Sequence, residues 1–308
     1  MIRFFNRIHR WLAVLFSIPL FLIVVSGMIL CVEPALQLNG PRTANLDAAK
    51  LQSMLAKYDP NGAAVGLTLR SYDNSLQIND KSGSLNVVVD LDTLQPKAAL
   101  GLLAQIFEFG RKLHMDLLYG LRPLVVLTTA ALVLTIVFGL LLGLPHRRNT
   151  FSGWHRMLAW SALPLLLAIP VTGILMHLNV TFGGGDRAPM HIGQARIDGA
   201  RMAMAQIVVA GARHRDLGQM AWIRNMGPRY MMRYRGDNRF RGYFITANGV
   251  SPAPPNLPRG FHEGLWFGRW GGFLNFLVSV AFLALWVTGL TMFFQGVKRR
   301  HRPSVPQA

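Results

Sequence analysis

Four long apolar stretches alternate with two polar ones along the chain. The apolar stretches cover residues 11–32, 123–144, 157–178 and 270–297. Each exceeds the roughly 20 residues needed to cross a bilayer core of about 30 Å, so they predict four transmembrane helices. The first is expected to be a retained anchor. Its apolar run is longer than the roughly 7–15 residues of a signal-peptide core, and no small-x-small cleavage site follows. Residues 33–121 and 179–269 have another rhythm, one helix and then three strands. In the first, a helix over 46–58 is stopped by Asp59-Pro60, and strands follow at 64–71, 75–80 and 84–92. In the second, a helix over 197–213 precedes strands at 219–225, 229–235 and 241–247. Polar, Gly-containing turns separate the strands. Such a unit buries only a modest core alone, so each is expected to lean on the bundle or on its copy.

Charge orients the helices. Residues 3–10, 145–156 and 298–302 hold ten basic residues and no acidic ones. By the positive-inside rule these segments face the cytoplasm. The expectation is a membrane α-helical protein: a four-helix transmembrane bundle with two exported α+β domains and an internal duplication. Its divisions are helix 1 (1–32), exported domain 1 (33–121), helix 2 (122–144), a cytoplasmic loop (145–156), helix 3 (157–178), exported domain 2 (179–269), helix 4 (270–297) and a cytoplasmic tail (298–308). The net charge of +18 is therefore no nucleic-acid signal, because ten of the charges are topology determinants. Residues 33–122 carry nine basic and nine acidic residues; residues 179–269 carry thirteen and five. That surplus is read either as a surface facing solvent or lipid headgroups, or as attraction of an anionic ligand. The lone Cys31 excludes an intrachain disulfide and a cysteine-held iron–sulfur centre.

The duplication also carries histidines. Ile8-His9-Arg10-Trp11-Leu12 leads through apolar residues and Pro19 to Ser26-Gly27. Trp154-His155-Arg156-Met157-Leu158 leads through Pro164 to Thr172-Gly173. Leu113-His114 precedes Tyr119-Gly120 and one apolar helix; Phe261-His262 precedes Phe267-Gly268 and another. Histidines at matching helix ends point to a shared cofactor.

With Thr288-Gly289-Leu290 closing the last helix, these motifs resemble the PepSY-associated transmembrane helix family over nearly the whole chain. The resemblance implies a bacterial inner-membrane protein with two periplasmic PepSY-like domains. It also implies likeness to haem-b-containing siderophore-iron reductases, whose acceptor is a ferric siderophore or other ferric chelate. PepSY domains occur in proteins linked to peptidase inhibition as well. The alternative is therefore a non-enzymatic membrane protein that binds or regulates a periplasmic partner. A homodimer remains open.

Haem b needs an apolar slot and imidazole ligands, which helix bundles supply. His9 and His155 form the cytoplasmic candidates; His114, His177 and His262 form the outer set, with one to spare. One bis-histidine haem at each face, two in all, fits that count. His155 and His177 fall near one face of a straight helix, as do His9 with Gly27 and His155 with Gly173. Those glycines make room for a flat macrocycle or for close helix packing, and Pro19, Pro164 and Pro170 are expected to kink their helices. A histidine at a membrane interface is also explained by solvation or a headgroup hydrogen bond. His146 and His301, inside basic runs, are read that way, and His191 and His214 as merely exposed. Arg224, Arg229, Arg233 and Arg235 are the candidate contacts for an anionic acceptor. No dinucleotide fingerprint, zinc-protease motif or nucleophile elbow is present. Electrons must then come from outside the chain, from a quinol or a cytoplasmic reductase.

Overall fold

The computed structural model describes residues 1–41, 46–144, 149–182, 203–227, 229–236, 239–246 and 249–300. His146, His191, His301, the glycine run at 183–185 and the start of the helix expected over 197–213 lie outside the described residues.

The first half begins with α1 (Ile2–Leu15), α2 (Ser17–Leu30) and the short α3 (Glu33–Asn39). Then come α4 (Ala48–Tyr58), β1 (Gly66–Arg70), β2 (Ser75–Asn79), β3 (Asn86–Asp90), α5 (Leu102–Asp116) and α6 (Arg122–Leu140). The second half repeats the plan with α7 (Phe151–Ser161), α8 (Leu163–His177), α9 (Met204–Ala212), β4 (Met220–Asn225), β5 (Tyr230–Arg235), β6 (Phe240–Thr246), β7 (Gly249–Pro252), α10 (Leu257–His262) and α11 (Arg269–Arg300).

Among the described residues, three helical stretches are long and apolar enough to cross a membrane: Ser17–Asn39, Arg122–Leu140 and Trp270–Lys298. The third expected span is instead a pair, α7 and α8, bent by 66°. Proline explains the break. Pro164 has no N–H, and its ring collides with the carbonyl one turn earlier, so α7 ends at Ser161. Pro19 does the same between α1 and α2, which part at Phe16. α8 runs through Pro170 without a break. Large apolar side chains such as Leu127, Leu134, Phe273 and Val287 stay exposed along these helices, as lipid contact requires.

The two strand-bearing stretches, expected as separate units, build one seven-stranded sheet of order β3-β2-β1-β4-β5-β6-β7. Its seam is the antiparallel pair β1–β4, with Gly66 opposite Arg224 and Thr68 opposite Trp222. These are the first strands of the two halves, so the seam lies near an approximate two-fold axis. The second half has a fourth strand, β7, beyond the three expected. Helices α4 and α9 cover one face over a single core that includes Leu51, Leu67, Leu76, Ile207, Ile223 and Met232. α4 starts where Asp47 accepts from the Lys50 N–H, a side-chain N-cap. It stops at Asp59, whose carboxylate gathers the N–H groups of Ala63 and Ala64.

The other face of the sheet looks toward the bundle and is polar, since alternate side chains along a strand point opposite ways. Arg70 pairs with Glu108 on α5 (2.7 Å), and Arg233 pairs with Glu263 just past α10 (3.4 Å). Arg111 on α5 reaches Glu33 at 2.6 Å. The α5 and α10 helices, not foreseen as separate elements, thus sit between sheet and spans. α5 ends two residues after His114 and α10 ends at His262, and a reversal follows each. After α5, Leu117 and Leu118 take positive φ (52° and 72°), then Gly120. Non-glycine residues rarely adopt that conformation, and two in succession turn the chain sharply from His114 into α6.

Candidate functional site

Four of the five candidate histidines come together in two pairs, each pair taking one residue from each half. Near the sheet, His114 and His262 face each other with ring centroids 5.9 Å apart and planes inclined by 46°. At the opposite end of the bundle, His9 and His155 lie close enough for a charge on one to be felt at the other.

One rule seats the rings. His114 Nδ1 donates to Ile23 O at 2.9 Å, with Ser26 Oγ at 3.2 Å. His262 Nδ1 donates to Ile169 O at 3.0 Å, and His9 Nδ1 to Thr135 O at 2.8 Å. In each case the accepting residue lies one turn before a glycine: Gly27, Gly173 and Gly139. A helical side chain leans back over the preceding turn, where it would cover that carbonyl. Glycine leaves the oxygen open, and the imidazole takes the vacant place. A Cβ added at Gly27, Gly173 or Gly139 would meet the imidazole Cε1 at 3.1, 3.0 or 3.2 Å. His155 varies the theme. Its Nδ1 donates to Thr288 Oγ1 at 2.8 Å, beside Gly289. That hydroxyl sends its own proton to Ala284 O at 2.7 Å, so it accepts from the ring.

The tautomer follows. Carbonyl oxygens only accept, so Nδ1 carries the proton in His9, His114 and His262, and Nε2 keeps a bare lone pair. Burial, then the neighbouring His262, pushes His114 down to about 4, and burial lowers His262 as well. Both rings near the sheet are neutral at physiological pH, which is the form that ligates metal. Anchoring one imidazole nitrogen to a carbonyl is the usual way proteins fix the other toward a metal.

This donor set fits a group that brings most of its own ligands. Among the described residues, no cluster of three or more His, Cys, Asp or Glu could hold a bare metal ion. Two opposed imidazoles on one metal at about 2 Å each would bring their ring centroids to roughly 6 Å, close to the spacing of His114 and His262. A metal-bearing macrocycle that takes two ligands from the protein would suit such pairs. Gly27 and Gly173, read from sequence as room for a macrocycle or close helix packing, instead seat imidazoles from α5 and α10.

The fifth candidate, His177, is exposed in the last turn of α8, and no contact among the described residues links it to either pair. The straight-helix alignment of His155 with His177 is undone by the 66° bend. Gly139, Thr135 and Asn275 were not anticipated. Gly139-Leu140 echoes Gly289-Leu290, and that was the available signal. Asn275, buried in α11, donates to Phe261 O and His262 O, both at 3.0 Å, and so holds the end of α10 against the span.

The arginine candidates separate. Arg235 is buried and donates to the carbonyls of Gln37, Gly40, Pro41 and Gly218; it is a structural clamp, not an acceptor contact. Arg229 lies over the Phe244 ring at 3.5 Å. Arg233 is spent on Glu263. Burial works to raise that carboxyl, yet Arg233 and Arg259 hold it below its ordinary range. Arg224 stacks on Trp222 at 4.7 Å and belongs to a cleft between the sheet and α5.

The family model for the PepSY-associated TM region matches residues 6–295. The chain belongs to that family. The match spans both halves, so this PepSY-associated protein owes its paired histidines and continuous sheet to parts lying within the family's own extent. No curated protein matches the chain.

Proposed function

We propose that this protein is a haem-b membrane oxidoreductase that passes electrons across a bacterial inner membrane to a periplasmic ferric chelate, such as a ferric siderophore. The observation that carries the reading is the two histidine pairs, each ring anchored through Nδ1, with His114 and His262 facing each other. His9 and His155 would hold one haem, and His114 and His262 the other. When bound, each haem supplies a one-electron couple; the protein supplies ligands, orientation and a dry setting. Measured along α11 from Asn275 to Thr288, the two levels are about 20 Å apart at helical rise. The glycines let three imidazoles reach neighbouring carbonyls, and Thr288 Oγ1 takes the fourth, which fixes ring orientation before any cofactor enters. The acceptor takes one electron, Fe(III) becoming Fe(II), and the electron derives from a quinol or a cytoplasmic reductase. The basic short segments favour cytoplasmic termini, which puts the sheet on the periplasmic side.

The test is spectroscopic. Purified full-length protein should show low-spin b-type bands that sharpen on dithionite reduction, with two haems per chain by pyridine haemochrome. Protein that purifies folded and colourless from haem-replete cells would refute the proposal.

A further inference from the structure

The layer of charge between the sheet and the bundle divides into two sets. One is balanced. Arg70 pairs with Glu108 at 2.7 Å and Arg111 with Glu33 at 2.6 Å. The other is not. Arg224, Arg233 and Arg259 gather around the single carboxylate of Glu263. Arg233 reaches it at 3.4 Å and Arg259 at 3.8 Å. Arg224 forms no ion pair among the described residues. It lies 4.7 Å from the Trp222 ring, which Arg233 also flanks at 4.9 Å.

Three guanidinium groups against one carboxylate leave two positive charges over in this set. Their crowding is felt, since burial and then Arg233 and Arg259 bring Arg224 down to about 10. The Nε of Arg259 is closed to solvent and has no hydrogen-bond partner, because 3.8 Å to Glu263 is too long for a hydrogen bond. Like charges held together without anions cost free energy, so the set suits a ligand that brings two negative charges.

Position narrows the ligand. α10 begins where the Leu257 N–H reaches Thr181 O, and it ends where His262 reaches Ile169 O. Arg259, three residues before His262, therefore lies about one turn nearer the sheet than the ring. A ligand touching both levels needs an apolar body between the histidines and two anionic arms pointing to the sheet. Haem b has that form, a flat apolar ring with both carboxylates on one edge.

We propose that Arg259 and Arg224 bind the two carboxylates of a haem held by His114 and His262, and so set the rotation of the ring about its ligand axis. The assignment rests on the oxidoreductase reading above, which supplies the haem.

The test compares haem with its dimethyl ester, which keeps the ring and the iron but has no carboxylate. Full-length apoprotein in detergent, carrying His155→Ala so that only the pair near the sheet loads, is titrated with each and followed in the Soret band. Haem should bind about a hundredfold tighter than the ester, the worth of two charge-assisted hydrogen bonds. Arg224→Gln and Arg259→Gln should each weaken haem about tenfold and leave the ester unchanged. Arg241→Gln, an exposed charge change on β6, should alter neither. Circular dichroism confirms that each variant is folded. Equal binding of haem and ester, or equal weakening of both by the Arg224 and Arg259 changes, would overturn the carboxylate assignment and leave the oxidoreductase reading standing. Uptake of neither porphyrin by unsubstituted apoprotein would refute that reading and the assignment with it.

Discussion

His262 stands over Gly173 so closely that a Cβ on the glycine would sit 3.0 Å from the imidazole Cε1. The same contact at Gly289 leaves 3.6 Å to His155, an ordinary van der Waals distance. Alanine in place of glycine inside a helix gains about 1 kcal/mol of propensity. At Gly289 nothing opposes that gain, so Gly289→Ala should be neutral or slightly stabilising and keep full haem content. At Gly173 the gain is opposed by overpacking of about 1–3 kcal/mol and by displacement of the ring from Ile169 O. Gly173→Ala should lower haem occupancy near the sheet. Equal behaviour of the two variants in absorbance per chain would count against the seating rule.

Histidine variants should group by pair. His114→Ala and His262→Ala should each remove the same haem, and His9→Ala and His155→Ala the other, leaving about half the wild-type content. His177→Ala should leave the spectrum as it is. Haem per chain by pyridine haemochrome decides this, and a loss on changing His177 would restore it to the ligand set.

Asn275→Leu keeps the volume but removes two hydrogen bonds to the end of α10. Phe261 O keeps the Gly264 N–H, but His262 O loses this donor, which should cost about 1–2 kcal/mol. The midpoint potential of the haem near the sheet should shift while the other stays put. A redox titration in which both shift together, or neither does, would remove the positioning role.

Arg235→Ala deprives four carbonyls from both halves of their shared donor. The expected loss is at least about 3 kcal/mol, seen as a lower unfolding temperature. Arg235→Lys should rescue little, because a single ammonium lacks the guanidinium fork. Retention of wild-type stability by the alanine variant would show that the clamp is dispensable.

Reporter fusions at Pro145 and Pro303 should behave as cytoplasmic, and fusions near Gly62 and Gly236 as exported. An exported reporter at 145 would reverse the orientation argued from charge.

The apolar runs were legible because bilayer thickness sets a length that any window detects, but the breaks before Pro19 and Pro164 moved the ends of the first and third. The helix-plus-strands plan was legible too, from alternation and turn residues. Strand partners were not: β1 finds β4 across half the chain, and periodicity specifies a face without naming a neighbour. α5 escaped because Glu108, Arg111 and Lys112 interrupt its apolar face, placing it outside both the span and the strand templates. The histidines were read as a duplicated set, but their glycine partners were sought along the same helix. Proline breaks that helix, and the true partners lie on the neighbour. Gly139 was harder still, because Phe138 stands where the other three sites have Ser or Thr.

The seam between β1 and β4 has a consequence for biosynthesis. A ribosome that has released only the first half has made His9 and His114 but neither of their opposite numbers, and it leaves β1 with an open edge toward solvent. An unpaired edge invites another chain, and domains emerge in order from the N-terminus. Until β4 arrives to close the edge, the nascent protein is prone to pair with a second nascent copy, and the two histidine pairs are completed on either side of that event, His155 being made before β4 and His262 after it.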